Sequence, residues 1–447
     1  MEMILDHSEY ARVIAELQQR WPDSKVVPTL DREARLMELL GDPQRTCSVV
    51  HVGGTNGKST TTRMIDALLR ETGLRVGRFT SPEPRLSERI ALHGEPVDEE
   101  RFVALYRELE PYVAVVDKEA SQPLTGFEVV TAMAFAAFAD AAVDAAVVEV
   151  GMGGAWDCTN VADGTVAVLT PIALDHQKYL GDTIGDIALE KVGIIKPGAT
   201  VVSAGQTEEA ARPILERCAE VGATIAREGA EFGVLRRAVA VGGQMVSLQG
   251  LSGEYTDVFL PLHGAHQAQN AALALAATEA FLGAGQARPL DADLVRAGFA
   301  AVRSPGRLER VRTAPTILLD AAHNPHGMAA TVAAVSEEFD FRRLVAVVAA
   351  PADKDVAAML ELLEPAVTAV VVTTNTSPRS MPAGQVGALA AGVFGPDRVR
   401  VAPALPDALE LAVALAEGDL DQELGGVGVL VTGSTVTVTD ARALLAN

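Results

Sequence analysis

From about residue 45 onward, apolar runs of strand length alternate with amphipathic segments of helix length almost without interruption. Apolar runs interleaved with helical segments are the pattern of a parallel sheet covered by helices, so the rhythm alone sets the fold class as α/β. In the first part, CSVVHV leads into GGTNGKST and then into the helical TTRMIDALLRETG; DAAVVEV and TVAVLTPIAL read as the next strands. Residues 234–260 break the rhythm with short β-like runs separated by glycines, the pattern of an antiparallel meander or insertion. An alanine-rich helical segment follows, and after SPGRLERV the rhythm restarts with TILLD, LVAVVAA, AVVVTT, RVRVAP and GVGVLVT. The expected division is therefore into residues 1–298 and 299–447, with Ser304-Pro305-Gly306 suited to a hinge.

Composition excludes several classes of partner. A formal charge of −22 argues against nucleic acid and against an anionic membrane surface, both of which reward clustered Lys and Arg. Cys47, Cys158 and Cys218 are scattered, without CxxC spacing or histidines at metal-ligand intervals, so neither a disulfide framework nor a zinc site is expected and a reducing cytoplasm fits. The N-terminus carries Glu2 and Asp6 where a signal peptide would be basic and then apolar, and the long uncharged stretches contain Pro, His, Gln and Asn, unlike a membrane span.

The stretch HVGGTNGKST at 51–60 resembles a phosphate loop, but the position five before the Gly-Lys pair, normally glycine, is Val52. Lying between a strand and a helix, such a loop points backbone N–H groups and the positive end of the helix dipole at its ligand. Lys58 would reach the β and γ phosphates, and the hydroxyl of Ser59 or Thr60 would face a magnesium ion; the alternative is a glycine-rich turn with a chance Gly-Lys-Ser. DAAVVEV delivers Glu149, and TVAVLTPIAL delivers Asp175 and His176, to the ligand-binding edge of an open sheet, where together they read as a divalent-cation cluster. Taken singly, Glu149 reads equally as a helix cap or a surface acid, and His176 as a hydrogen-bonded loop histidine. Lys191 falls on a helix shortly afterwards, where a lysine is ordinarily solvated.

GTNGK, GFEVVTAMAF, EVGMGG followed by D-x-T-N, TPIALDHQKYLG, DTIGDIALEKVGIIKPG, HQAQN, SPGRLE, LDAAHNP and TGS occur in the order and spacing of the Mur-type amide ligases. The chain resembles, within that superfamily, the dihydrofolate synthase and folylpolyglutamate synthase family, over nearly its whole length. That family has a shortened phosphate loop beginning at the glycine matching Gly54. The resemblance implies a P-loop NTPase-like first domain with a small β insertion, followed by a Rossmann-like glutamate-ligase domain. It implies that Gly54, Thr55, Asn56, Gly57, Lys58, Ser59 and Thr60 bind the ATP phosphates. Ser81, Glu149 and His176 match its magnesium ligands, and Lys191 its carbamylated lysine. Asn270, Arg307, Asp320 and His323 match nucleotide-binding residues, and Phe127, Asp157 and Cys158 fall on the substrate side. Lys58, Glu149, His176 and Lys191 are then the expected catalytic set.

The implied reaction is ATP-dependent: a carboxylate, a pterin or folate acid or another, is activated as an acyl phosphate and joined to L-glutamate or another amino acid. The implied amino-acid site lies in the cleft between the domains, and the implied state is a cytoplasmic monomer. Besides GKST at 57–60, where the family more often has Gly-Lys-Gly-Ser, three positions depart from the family pattern. Glu83 replaces a histidine in SPEPRLSERI, Ala155 replaces an arginine in GMGGAWDCTN, and Gly126 replaces a large aromatic before Phe127 and Glu128. These three fall on the acid-binding side, so the other reading is a paralogue that joins an amino acid to a different carboxylic acid with the same ATP chemistry.

Overall fold

The computed structural model describes residues 7–21, 27–81, 83, 85–283, 289–418 and 426–445. The chain divides into two compact units. Met1–Arg236, Val246–Phe259 and Gln269–Val302 form one; Arg237–Met245, Leu260–Ala268 and Arg303–Asn447 form the other. The second unit therefore takes in two short pieces of the glycine-punctuated stretch.

The first unit is built on an eight-stranded sheet. In chain order the strands are β1 (Ser48–Gly53), β2 (Val76–Phe79), β3 (Ile90–Leu92), β4 (Glu95–Pro96), β5 (Ala145–Glu149), β6 (Gly164–Leu169), β7 (Thr200–Ser203) and β8 (Thr224–Arg227). They lie side by side as β4-β3-β2-β5-β1-β6-β7-β8. All pairings from β2 to β8 are parallel, and β3 and β4 add an antiparallel edge. β5 is buried throughout and β1 in all but its first residue, which explains why both read as continuous apolar runs. On one face Val49, Phe79, Ala146 and Val148 pack with apolar residues of helices Asp31–Leu39, Glu99–Glu119 and Gly126–Asp140. Elsewhere Ala167, Leu169 and Val201 pack with helices Ile184–Lys191 and Glu208–Val221.

Residues 233–260, where a meander or insertion of short strands is expected, form a three-stranded sheet. Its strands are β9 (Gly233–Ala240), β10 (Gly243–Gln249) and β11 (Glu254–Leu260), with β10 in the middle.

The second unit carries β12 (Glu309–Thr313), β13 (Thr316–Leu319), β14 (Arg343–Val348), β15 (Ala369–Val372), β16 (Val399–Val401) and β17 (Val427–Thr432), in the order β12-β13-β17-β14-β15-β16. Only β12 is antiparallel. Side chains alternate across a strand, and here both sets are apolar. Leu318, Leu344, Ala346, Val348, Val370, Val372 and Leu430 join one core, while Ile317, Leu319, Val345, Val347, Val371, Val429 and Val431 join another. Helices Pro325–Glu338, Val356–Leu363 and Ala383–Phe394 cover the first face and Leu405–Glu417 the second. Gly306, expected in a hinge, is tied into this unit: its N–H donates to Glu309 Oε2 at 2.9 Å and its carbonyl accepts from Ala321 N at 2.9 Å.

Candidate active site

The register places Val52 beside Glu149 of β5, and Gly53 beside Leu169 of β6. The loop after β1 therefore leaves the sheet at its carboxyl edge, flanked by the ends of two parallel strands, where open α/β sheets bind ligands. It enters helix Lys58–Glu71 through Gly57, which has φ 92° and no side-chain cap, and the first intrahelical bond runs from Thr61 N to Gly57 O at 2.9 Å. The positive end of this helix is thus left to whatever docks against it. Gly54 has φ 128°, and a Cβ there would lie 2.0 Å from Thr170 Oγ1, so no other residue fits. Asn270, from helix Ala265–Phe281, is buried with its Oδ1 2.6 Å from where a Cβ on Gly57 would sit.

Residues 170–173 hold this loop, a role that sequence reasoning missed. The N–H groups of Thr55 and Asn56 donate to Pro171 O at 3.0 and 3.4 Å. Thr55 Oγ1 donates to Ala173 O and accepts from Ala173 N, each at 3.1 Å. These contacts brace the loop against residues 171–173. Nothing in TPIALDH signals this role, because residues 171 and 173 hold the loop through backbone groups.

Two lysines converge on the loop. Lys58 Nζ donates to the carbonyls of Gly54 and Thr55, each at 3.2 Å. Lys191, at the end of helix Ile184–Lys191, is buried and donates to Gly54 O at 2.7 Å. Burial, aided by the positive charge of Lys58, brings the Lys191 amine down to about 7. An ordinary solvated helix lysine is therefore excluded.

Glu149 ends β5 buried, and a separate element holds each of its oxygens. Ser59 Oγ donates to Oε1 at 2.9 Å and Ser81 N donates to Oε2 at 3.1 Å. Burial raises its pKa against the pull of Lys58. Ser81 meets this carboxylate through its backbone rather than its hydroxyl. Asp175 is buried, its Oδ1 accepts from His176 N at 2.8 Å, and its charge reaches Lys191. His176 has φ 52°, with Nε2 3.9 Å from Asp175 Oδ2. Among the described residues, no group of three or more His, Cys, Asp and Glu side chains is arranged to hold a metal. Glu149 and Asp175 are buried carboxylates and Ser59 brings a hydroxyl to Glu149, oxygen groups of the kind that Mg²⁺ takes together with water and phosphate.

Phe127 opens helix Gly126–Asp140, with its ring 5.9 Å from that of Phe79 and 5.8 Å from the Arg89 guanidinium. The Asp157 carboxylate is buried and spent on its own turn, accepting from Thr159 N at 3.0 Å, Thr159 Oγ1 at 2.5 Å and Met152 N at 2.9 Å. Thr159 Oγ1 in turn lies 2.9 Å from His51 Nε2, and burial brings His51 down to about 3. Cys158 is buried against the same helix as Phe127, with Sγ donating to Thr131 Oγ1 at 3.3 Å, and burial pushes its thiol well up. Asp157 and Cys158 are thus buried and engaged within the fold rather than offered as reactive groups.

In the second unit, Asp320 follows β13 and is buried. Its Oδ2 accepts from Leu308 N at 3.0 Å, and its Oδ1 from Ala322 N at 3.0 Å and Thr331 Oγ1 at 2.7 Å. This fixes the turn that carries Arg307, whose guanidinium donates to Gly306 O at 3.1 Å. His323 Nδ1 lies 3.0 Å from Ala321 O.

Residues 52–278 match the Mur ligase middle domain and residues 306–435 the Mur ligase glutamate ligase domain. The chain is 50% identical to the dihydrofolate synthase/folylpolyglutamate synthase of Mycobacterium tuberculosis, over 96% of this chain and 92% of that protein. The structure of M. tuberculosis folylpolyglutamate synthase complexed with ADP superposes with a TM-score of 0.94 at 50% identity, covering 98% of this chain and 99% of that one. A solved FPGS–AMPPCP–folate complex superposes with a TM-score of 0.83 at 31% identity, covering 98% and 100%. With the shortened phosphate loop, the buried Glu149 and the two converging lysines in place, the chain belongs to the dihydrofolate synthase/folylpolyglutamate synthase family of Mur-type ligases.

Proposed function

We propose that this protein joins L-glutamate to the carboxyl group of a pterin or folate acid, at the expense of ATP. The observation that carries the reading is the meeting, at one sheet edge, of an uncapped helix N-terminus, Lys58 and a buried carboxylate held by Ser59 and Ser81. An anion's charge is met by the first, and a cation that accompanies it by the last.

A carboxylate does not react with an amine at neutral pH, so it is first made an electrophile. A carboxylate oxygen of the acid attacks the γ-phosphorus of ATP, the bond to the β-phosphate oxygen breaks, and ADP departs. The amine nitrogen of glutamate then attacks the carbonyl carbon, inorganic phosphate leaves, and the nitrogen loses a proton. Both steps gather negative charge on phosphoryl and carbonyl oxygens. Lys58 and the first-turn amides of helix Lys58–Glu71 stabilise it from fixed positions. Magnesium, when bound, neutralises phosphate charge, and Ser59, Ser81, Glu149 and His176 would hold it.

Lys191 fits carbamylation. Its amine is buried and half neutral near pH 7, and only the neutral form adds to carbon dioxide, forming an N–C bond and releasing a proton. The product would turn a cation into an oxygen ligand. By the same resemblance Asn270, Arg307, Asp320 and His323 are assigned to the nucleotide, and Phe127, Asp157 and Cys158 to the walls around the acid.

Among the described residues no helix is long and apolar enough to cross a membrane, and all three cysteines are free. We place the enzyme in a reducing cytoplasm, as a monomer. The test is ADP release with ATP, Mg²⁺ and L-glutamate, comparing dihydropteroate, tetrahydrofolate and no acid, with products weighed by mass spectrometry. A glutamylated pterin product is expected. ATP binding without turnover of either pterin would move the assignment to another carboxylic acid.

A further inference from the structure

Glu83 stands where the family pattern has histidine, and the reaction itself gives it no task. Its side chain is only 6% exposed, and Oε1 accepts from Thr80 Oγ1 at 2.8 Å and from the Arg63 guanidinium. Thr80 closes the end of β2, with its N–H donating to Arg89 O at 2.9 Å. The next residue, Ser81, donates its N–H to Glu149 Oε2. Arg63 lies one helical turn beyond Ser59, whose hydroxyl holds the other oxygen of the same carboxylate.

These contacts close a ring. From Ser59 it passes through the Glu149 carboxylate to the Ser81 N–H, back one residue to Thr80, through the Thr80 hydroxyl to Glu83, across to Arg63, and down one turn of helix to Ser59. Glu149 is thus gripped from two sides, by helix Lys58–Glu71 and by Thr80-Ser81 at the end of β2, and the Arg63–Glu83–Thr80 contacts fasten the two to each other. Without that fastening the Ser81 amide would rest on a turn free to shift, and a displacement of about 1 Å at such a site costs roughly a hundredfold in rate.

We infer that Glu83 is a positioning residue for the nucleotide site, acting through Ser81 on the orientation of Glu149. The inference rests on the reading of Glu149 given above. In E83A, kcat for ADP release should fall about 10- to 100-fold and half-saturation should require more Mg²⁺, while the KM of the acid stays within about twofold. E83Q keeps an oxygen acceptor for Thr80 and Arg63 and should recover most of the loss. A readout apart from turnover is the extra thermal stabilisation that ADP with Mg²⁺ gives over ADP alone, which should shrink in E83A. If E83A does not fold, Thr80→Val removes one contact of the ring and should show the same trends in smaller measure. Wild-type kcat and Mg²⁺ requirement in E83A, or a defect confined to the KM of the acid, overturns the inference. E149Q separates the two assignments: its loss of turnover beside an unaffected E83A sinks only the role of Glu83, whereas wild-type turnover in E149Q sinks both.

Discussion

Glu33 is a carboxylic acid on the wrong face of a helix, and its energetic consequence can be measured. Helix Asp31–Leu39 buries Glu33, Leu36 and Met37, spaced i, i+3 and i+4, so Glu33 occupies an apolar stripe and is 0% exposed. Neither of its oxygens has a hydrogen-bond partner among the described residues. The neighbouring Arg32 guanidinium is engaged by Glu128, at 3.0 Å from Nε and 2.9 Å from the terminal nitrogen. Burial, with the negative charges of Glu128 and Asp157, holds the Glu33 pKa well above the ordinary 4.5. Above pH 4.5 the unfolded chain gives up this proton while the folded chain keeps it. The unfolded state then binds fewer protons, so stability falls as pH rises. The slope for one such group is about 1.4 kcal/mol per pH unit until the raised folded value is reached.

Glu33→Gln removes the titration but keeps unsatisfied polar atoms, and Glu33→Met removes both. The stability of either variant relative to the wild type should therefore climb by about 1.4 kcal/mol per pH unit from pH 5 upward, or roughly 2 °C or more in Tm. E33M should exceed E33Q by about 1–3 kcal/mol at every pH, the penalty for polar atoms buried without partners. Thermal unfolding of the three proteins at several pH values makes both comparisons, and taking differences cancels the other carboxylates to the extent that they act independently. A gap that does not change with pH, or an E33M less stable than the wild type at neutral pH, would refute the reasoning.

Two further outcomes follow from the phosphate loop. Gly54→Ala places a methyl group 2.0 Å from Thr170 Oγ1 at φ 128°, so it should lower unfolding stability by at least about 2 kcal/mol and weaken ADP binding; calorimetric ADP affinity equal to the wild type would count against the loop geometry. Since the Lys191 amine titrates near 7, its neutral fraction should rise roughly tenfold between pH 6 and pH 8. At fixed dissolved carbon dioxide, recovery of activity by carbon-dioxide-depleted enzyme should follow that rise, and Lys191→Met should abolish it. Activity indifferent to carbon dioxide, from protein carrying no labile added mass on Lys191, would rule the carbamate out.

The fold was legible because its strands are buried on both faces. AAVVE in β5 and RLVAVV in β14 announce two-sided burial through apolar residues at successive positions, and the intervening helices follow from their own period. The allocation of residues 237–245 and 260–268 to the second unit was not legible, because strand-length runs between glycines do not say which core they join. At the site, the pattern yielded residue types and edge positions: Lys58 opening a helix, Glu149 ending a strand. It could not yield which atom of Ser81 is used, nor that Pro171 O takes up the amides of Thr55 and Asn56. Those depend on where two distant segments approach, and a backbone carbonyl carries no signature in the sequence. Lys191 shows the same limit: its spacing reads as a solvated helix lysine, and only its burial against Gly54 O gives it a lowered pKa.

The departures from the family pattern acquire local causes once their neighbours are known. A Cβ on Gly126 would lie 2.7 Å from the backbone carbonyl of Leu17, so the end of helix His7–Gln19 occupies the space into which a large aromatic would begin to project. A backbone oxygen cannot swing aside as a side chain can, and the glycine is therefore a packing solution in its own right. Ala155 is exposed but its backbone is fastened at both ends, N–H to Glu190 O at 2.9 Å and carbonyl from Asn160 Nδ2 at 3.0 Å, so the turn beside Lys191 keeps its course without a longer side chain. Glu83 turns to Arg63 and Thr80 and gives the Ser81 turn an anchor. Each change is thus answered by a contact within the first unit, and none of the three removes a group that grips Glu149, Lys58 or Lys191. Variation compensated in this way leaves the phosphate chemistry untouched whichever acid is bound, and it is membership of the dihydrofolate synthase/folylpolyglutamate synthase family that puts the pterin acids first in the assay.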